Sequence, residues 1–172
     1  LMFLILTGNN MKVFNNKDGF IFLEILIASA LIGIVFITLL GLGFSTLQIS
    51  ISIQKTAQAD ALAREELEAL RSFRDATTWQ SNGLGIVATG SANPYHLFFS
   101  SNQWTIVSGT NSVGIFSRKI IIDRVSRDPA TQNIESTYNS ANDDPDTRKV
   151  TTSISWENKT NEFVTYLTNW QK

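Results

Sequence analysis

Gly19 to Phe44 constrains this chain more than any other stretch. It reads G-FIFLEILIASALIGIVFITLLGLGF. From Ile25 to Phe44 nothing is charged, and the only hydroxyls are Ser29 and Thr38. At about 1.5 Å per residue, roughly 20 such residues cover a ~30 Å hydrocarbon core. The stretch therefore reads as a membrane-spanning helix over residues 20–46. One ionisable group, Glu24, sits near its start. A carboxylate inside an apolar helix is costly and is usually paired or functional.

A polar lead ending at Gly19 precedes the apolar run and carries Lys12 and Lys17. The sequence starts at a leucine, and methionines follow at positions 2 and 11. We read Met11 as the start, with residues 1–10 upstream of it. The lead from Met11, MKVFNNKDG, is short and cationic, and the positive-inside rule keeps such a segment cytoplasmic. A secretory signal peptide is one alternative. It predicts a short apolar core followed by an A-x-A cleavage site. Ala28-Ser29-Ala30 has that form, but the apolar residues continue for many positions beyond it. A plain signal anchor accounts for the length and the lysines, but not for the Gly19-Phe20 junction or for Glu24.

Gly19-Phe20 followed by Glu24 resembles the processing motif of type IV prepilins and type II secretion pseudopilins. The shared pattern is a basic lead, glycine, an aromatic residue, three apolar residues, glutamate and a long apolar run. Two departures are Ile21, where many members carry a hydroxyl, and Asp18 beside the cut. The resemblance implies cleavage between Gly19 and Phe20 by a prepilin peptidase and methylation of the new Phe20 amine. It assigns Glu24 to assembly, where the carboxylate would meet the N-terminal amine of a neighbouring subunit. Two buried charges can relieve each other where either alone would be costly. Without the resemblance, Glu24 reads as a carboxylate close enough to the interface to reach water.

Gly33, Gly41 and Gly43 fall in the second half of the span, and each costs a helix about 1 kcal/mol relative to alanine. The β-branched run Ile49-Ser50-Ile51-Ser52-Ile53 follows. Together they predict a locally weak stretch, which in filaments of this family can melt. Small residues for close helix packing are the alternative. From Ala57 to Asp75 the pattern is firmly helical. Ala59, Leu62, Ala63, Leu67, Leu70 and Phe73 recur at three- and four-residue spacing. Asp60–Arg64 and Arg64–Glu68 are expected i,i+4 pairs on a solvated opposite face.

After Thr77 helix signals stop. Tyr95–Phe99 and Gln103–Val107 flank Ser100-Ser101-Asn102 and suggest a hairpin. Ile115–Val125 is a strand candidate with Phe116, Arg118, Ile120 and Ile122 on one side. Arg148–Trp156 places Val150, Thr152, Ile154 and Trp156 on one face. A polar turn over Glu157–Asn161 leads to Glu162–Thr168, with Phe163, Thr165 and Leu167 opposed to Val164 and Tyr166. The expected fold is α+β: a long N-terminal helix, half transmembrane and half amphipathic, packed on a small antiparallel sheet. The expected organisation is a leader over 1–19, a transmembrane and filament-core helix over 20–46, an amphipathic helix over 47–76, and a β head over 77–172.

Composition narrows the functional classes. The net charge is −1 across 172 residues. Lys and Arg are not clustered, so no direct nucleic-acid partner is expected. There is no cysteine, hence no disulfide, thiolate metal site or thiol nucleophile. His96 is the one histidine, so neither a metal triad nor a Ser-His-Asp set can be built around it. Trp79, Trp104, Trp156 and Trp170 read as core or loop anchors. The acidic run Asp143-Asp144-Pro145-Asp146 is the candidate calcium site, since calcium takes several oxygens from a compact loop. It lacks EF-hand spacing, and Pro145 fits a simple solvated turn. No cofactor is otherwise expected.

The expected function is thus that of a non-enzymatic structural subunit. The resemblance implies as partners the prepilin peptidase, other pilin or pseudopilin subunits, an inner-membrane assembly platform and membrane lipid. It implies a single-pass cytoplasmic (inner) membrane protein with an extracytoplasmic head, placed in a surface or periplasmic filament after assembly. The modest head favours a minor subunit. The machine stays open between type IV pilus, type II secretion pseudopilus and competence filament. The rivals are an uncleaved, signal-anchored binding domain and an anchored extracytoplasmic enzyme, for which no residues can be named.

Overall fold

The computed structural model describes residues 16–170. The leader expected over 1–19, with Met11 and Lys12, lies mostly outside the described residues. The chain divides into two compact units at the boundary between Ser52 and Ile53.

The first unit is helical throughout its described part, as the N-terminal portion of α1 (Asn16–Ala76). Every residue from Phe20 to Ile51 is exposed. Phe20, Ile37 and Phe44 show 74%, 72% and 67% of their surface. The helix is long and apolar enough to cross a membrane. Its hydroxyls are turned back onto its own backbone. Ser29 Oγ donates to Leu26 O at 2.9 Å and Thr38 Oγ1 to Val35 O at 2.7 Å. A hydroxyl satisfied in this way needs no water.

The weak stretch expected around Gly41–Ile53 is helical here. Helix propagation is cooperative, so a few unfavourable residues between good helix formers need not break it. Ser45 and Thr46 also bond back to Gly41 O and Leu42 O at 3.0 and 2.9 Å. A Cβ built at Gly33, Gly41 or Gly43 meets nothing within 4 Å. Packing within the chain therefore does not require these glycines.

The second unit holds the rest of α1 and a six-stranded sheet. Its strands are β1 (Tyr95–Ser100), β2 (Gln103–Ser108), β3 (Asn111–Val113), β4 (Phe116–Ser126), β5 (Asp143–Trp156) and β6 (Lys159–Thr168). The order is β2-β1-β4-β5-β6, with β3 also pairing β4, and every pairing is antiparallel. The α+β layout is as the sequence predicts.

Strand faces follow the expected alternation. Phe116, Arg118, Ile120 and Ile122 point inward on β4, as do Val150, Thr152, Ile154 and Trp156 on β5. Val164 and Tyr166 face outward on β6. Turns are tighter than expected. Trp156 pairs with Lys159, so a two-residue loop replaces the predicted Glu157–Asn161 turn, with Glu157 at φ 51°. Ser100 pairs with Gln103, leaving Ser101 and Asn102 at φ 51° and 62°. Two successive positive φ angles make the type I′ geometry that matches strand twist.

The inner face of the sheet packs on the stripe Ala59, Ala63, Ala69, Leu70 and Phe73 of α1. Two apolar clusters result. One gathers Leu70, Phe73, Trp79, Leu84, Leu97, Ile120, Ile122 and Val150. The other holds Ala59, Ala63, Phe116, Ile154 and Trp156. Each fully buried Leu, Ile or Phe side chain contributes about 1.5–3 kcal/mol. Between the clusters lies a polar layer of Glu66, Arg118 and Thr152, exposed by 1%, 8% and 0%.

Candidate functional site

The residues singled out for processing and assembly, Gly19, Phe20 and Glu24, all lie on α1. Phe20 and Glu24 are four residues apart, hence one turn apart on the same face. Around Glu24 the i±3 and i±4 positions are Phe20, Ile21, Ile27 and Ala28, all apolar and exposed. Among the described residues the Glu24 carboxylate meets no hydrogen-bond or ion-pair partner. A carboxylate ringed by its own helix's apolar side chains has two outlets: water at a membrane interface, or a cation from another molecule.

The acidic run does not form the expected loop. Asp143–Asp146 begins β5, and Asp143 and Asp144 pair with Ser126 and Val125 across a register shift. Donors from the protein already occupy the three carboxylates. Tyr138 Oη donates to Asp143 at 2.9 Å. Asp144 accepts from Arg127 Nε at 2.6 Å and from the Asp146 amide at 3.0 Å. Asp146 accepts from Asn169 Nδ2 at 3.0 Å. No group of three or more His, Asp or Glu converges to hold a metal ion among the described residues. Burial alone would raise the Asp144 carboxyl. Hydrogen bonds from Thr147, Arg127 and the Asp146 amide outweigh it and hold the group below the usual aspartate range.

Arg127 is the ion-pair partner of Asp144, and a second arginine lies buried nearby. Arg148 is 5% exposed. Its Nη2 donates to Gly85 O at 2.8 Å, its Nη1 to Pro145 O at 3.2 Å, and its guanidinium lies 5.8 Å from the centre of the Trp79 ring. Burial pushes its pKa down, while the field of Asp143, Asp144 and Asp146 opposes that shift. The solvated turn expected here is instead the start of β5, with the carboxylates bonded to the protein's own donors.

The other candidates are structural. His96 is half-buried, with Nδ1 at 3.3 Å from Gly109 O. Trp79 is buried and donates its indole N–H to Pro145 O at 3.0 Å. Trp156 is buried against Phe116, with ring centres 5.7 Å apart. Trp104 packs on Phe99 with the rings tilted by 60° and 5.0 Å between centres, and the exposed Trp170 donates to Asp75 at 2.9 Å. The expected pairs on α1 are replaced: Glu68 pairs with Arg71, and Asp60 accepts from Asn161 at 2.9 Å.

A shallow cleft on the outer sheet face, about 380 Å³, gathers Asp123, Arg124, Glu135, Tyr138, Lys149 and Tyr166. Glu135 accepts from Asn142, and Tyr138 donates to Asp143. The first bond closes the 127–142 loop on itself, the second ties it to β5, and neither is a nucleophile–base pair.

Sequence reading missed Glu66, taking the charges of this helix for a solvated face. Its carboxylate is buried, accepts the Leu97 N–H at 2.8 Å and lies 3.0 Å from Arg118 Nη1. Burial pushes its pKa up, against the pull of the Leu97 amide and Arg118. The signal was present. Arg118 sits on the buried face of β4, and Glu66 occupies a three-residue step of the stripe Ala59, Ala63, Glu66, Leu70, Phe73.

No family model, curated protein or solved structure matches this chain.

Proposed function

We propose that this protein is a pilin-like structural subunit. In this reading it is cleaved after Gly19, methylated on Phe20, and assembled through its N-terminal helix into a type IV pilus or type II secretion pseudopilus, as a minor subunit. One observation carries the reading. The Gly19-Phe20 junction and Glu24, which meets no partner among the described residues, stand at the head of a helix whose apolar side chains are bare from Phe20 to Ile51. So much uncovered apolar surface needs lipid or other helices around it. A subunit that waits in the inner membrane and then enters a filament core uses both.

The position of Glu24 adds a physical reason. Cleavage would make Phe20 the first residue of the helix and leave Glu24 near its first turn. There the helix dipole favours an anion by about 0.3–1 kcal/mol. The same carboxylate would be available to the charged amine of an adjoining subunit. The role is non-enzymatic, and the head is placed outside the cytoplasm by the cationic lead.

The test is the N-terminus and intact mass of the protein from membranes of cells with an active prepilin peptidase. The expected product begins at Phe20 and carries one added methyl. Gly19→Ala should leave the precursor uncut. Glu24→Ala should be cut but fail to assemble. A chain still carrying Met11, while the peptidase processes another substrate, would replace this reading with a signal-anchored binding domain.

A further inference from the structure

The sheet forks at β4. Strand β1 joins β4 through a single register pair, Tyr95↔Ile120. Backbone groups two residues apart face the same strand edge. Leu97 therefore presents its N–H and C=O towards β4, opposite Arg118. That position on β4 is already taken, because Arg118 pairs with Asn111 of β3. Leu97 is 0% exposed, so water cannot satisfy its two backbone groups.

Two side chains stand in for the missing strand. Glu66 Oε1 accepts the Leu97 N–H at 2.8 Å, and Arg118 Nη2 lies 3.5 Å from Leu97 O. The two are joined to each other, Glu66 Oε2 to Arg118 Nη1, at 3.0 Å. A clamp of one carboxylate from α1 and one guanidinium from β4 thus holds the middle of β1. The hairpin it holds is closed on itself. The type I′ turn seals one end, and Gly109 N donates to Pro94 O at 2.7 Å at the other. Six register pairs link β1 to β2, against one from β1 to β4. Nothing pairs with β2 on its far side among the described residues.

We propose that the β1–β2 hairpin, residues 95–108, is a hinged arm. It swings from the β4–β5–β6 sheet about the Tyr95–Ile120 pair, and the Glu66–Arg118 clamp is its latch. A partly open state keeps the β1–β2 ladder and the β4–β5–β6 ladder while losing the contacts between them. Opening bares the Leu97 backbone groups, the inner face of the hairpin and the β4 edge beside Arg118.

Native-state hydrogen exchange of the full chain in detergent micelles, at a series of sub-denaturing urea concentrations, tests the arm. The probes are the Leu97 amide, whose acceptor is the latch, and amides of the β4–β5 ladder such as Val150. Partial opening exposes less surface than unfolding, so its urea slope is smaller than the global one but not zero. Leu97 should show that intermediate slope. Glu66→Gln preserves the acceptor and removes the nearer of the two negative charges on Arg118, leaving the exposed Glu65 at 3.5 Å. Opening and unfolding both lose this contact, so the variant should speed Leu97 and Val150 exchange by a similar factor, roughly tenfold or more. Ile154→Val trims one methylene from the other cluster, whose contacts survive opening, so it should speed Val150 and leave Leu97 within about twofold. A zero slope at Leu97 in the parent means local breathing only, and a slope equal to that of Val150 means whole-domain unfolding. Either result overturns the arm, as does Ile154→Val speeding both amides alike.

Discussion

Glu66 and Arg118 allow a prediction whose size follows from the structure. Arg118→Met leaves the Glu66 carboxylate, 1% exposed, without its cation. Removing one partner of a buried pair costs about 3–5 kcal/mol. Domains of this size have about 5–15 kcal/mol in total, so the loss is a large fraction. Glu66→Leu costs less, because Arg118 keeps the longer contact of its Nη1 to Glu65 Oε1 at 3.5 Å. The double variant restores charge balance and recovers part of the loss. It does not reach the parent, because the Leu97 N–H and C=O lose both partners, at about 1–3 kcal/mol for each group left unmade. The expected coupling energy is about 2–3 kcal/mol. Protonation gives a second signature. The folded-state pKa of Glu66 is raised, so its contribution is complete below the unfolded value and is lost as pH rises through the folded one. In Arg118→Met that dependence steepens, and in Glu66→Leu it disappears. Urea unfolding of the four proteins in one detergent, at several pH values, measures both effects. Losses that add within about 0.5 kcal/mol would refute the reasoning, because independent sites behave that way.

Two further outcomes are expected. Asp144 has a folded-state pKa below its ordinary value, so its contribution is present above that value and is lost as pH falls through the folded one. Asp144→Asn should therefore lower the thermal midpoint at neutral pH and flatten its decline under acid, read by circular dichroism. At Gly85 a Cβ would lie 2.5 Å from Trp79 O and 2.6 Å from its Cδ1. Gly85→Ala should cost about 1–3 kcal/mol by overpacking, whereas Gly33→Ala, with open space around it, should be neutral or mildly stabilising in the same melting experiment.

The long helix, the inward faces of β4 and β5, and the β5–β6 hairpin are each written in local periodicity. A hydrophobic period of 3.6 or 2 is a property of neighbouring residues, so one sequence displays it without knowing its partners. The pattern proposed as a processing motif is local in the same sense: Gly19, Phe20 and Glu24 are defined by their spacing along the chain. What the sequence left open was every question about a partner. Asp143, Asp144 and Asp146 read as a solvated turn because their partners, Tyr138, Arg127 and Asn169, reach them only in the folded chain. Glu66 read as solvated because its burial depends on Leu97 and Arg118, 31 residues away in one contact and on another strand in the other. The fork of β1 and β3 on β4 was invisible for the same reason. Pattern determined which residues turn inward. Only the folded chain decided which charges meet there, because Coulomb and hydrogen-bond partners are chosen by distance in space and not by distance in sequence.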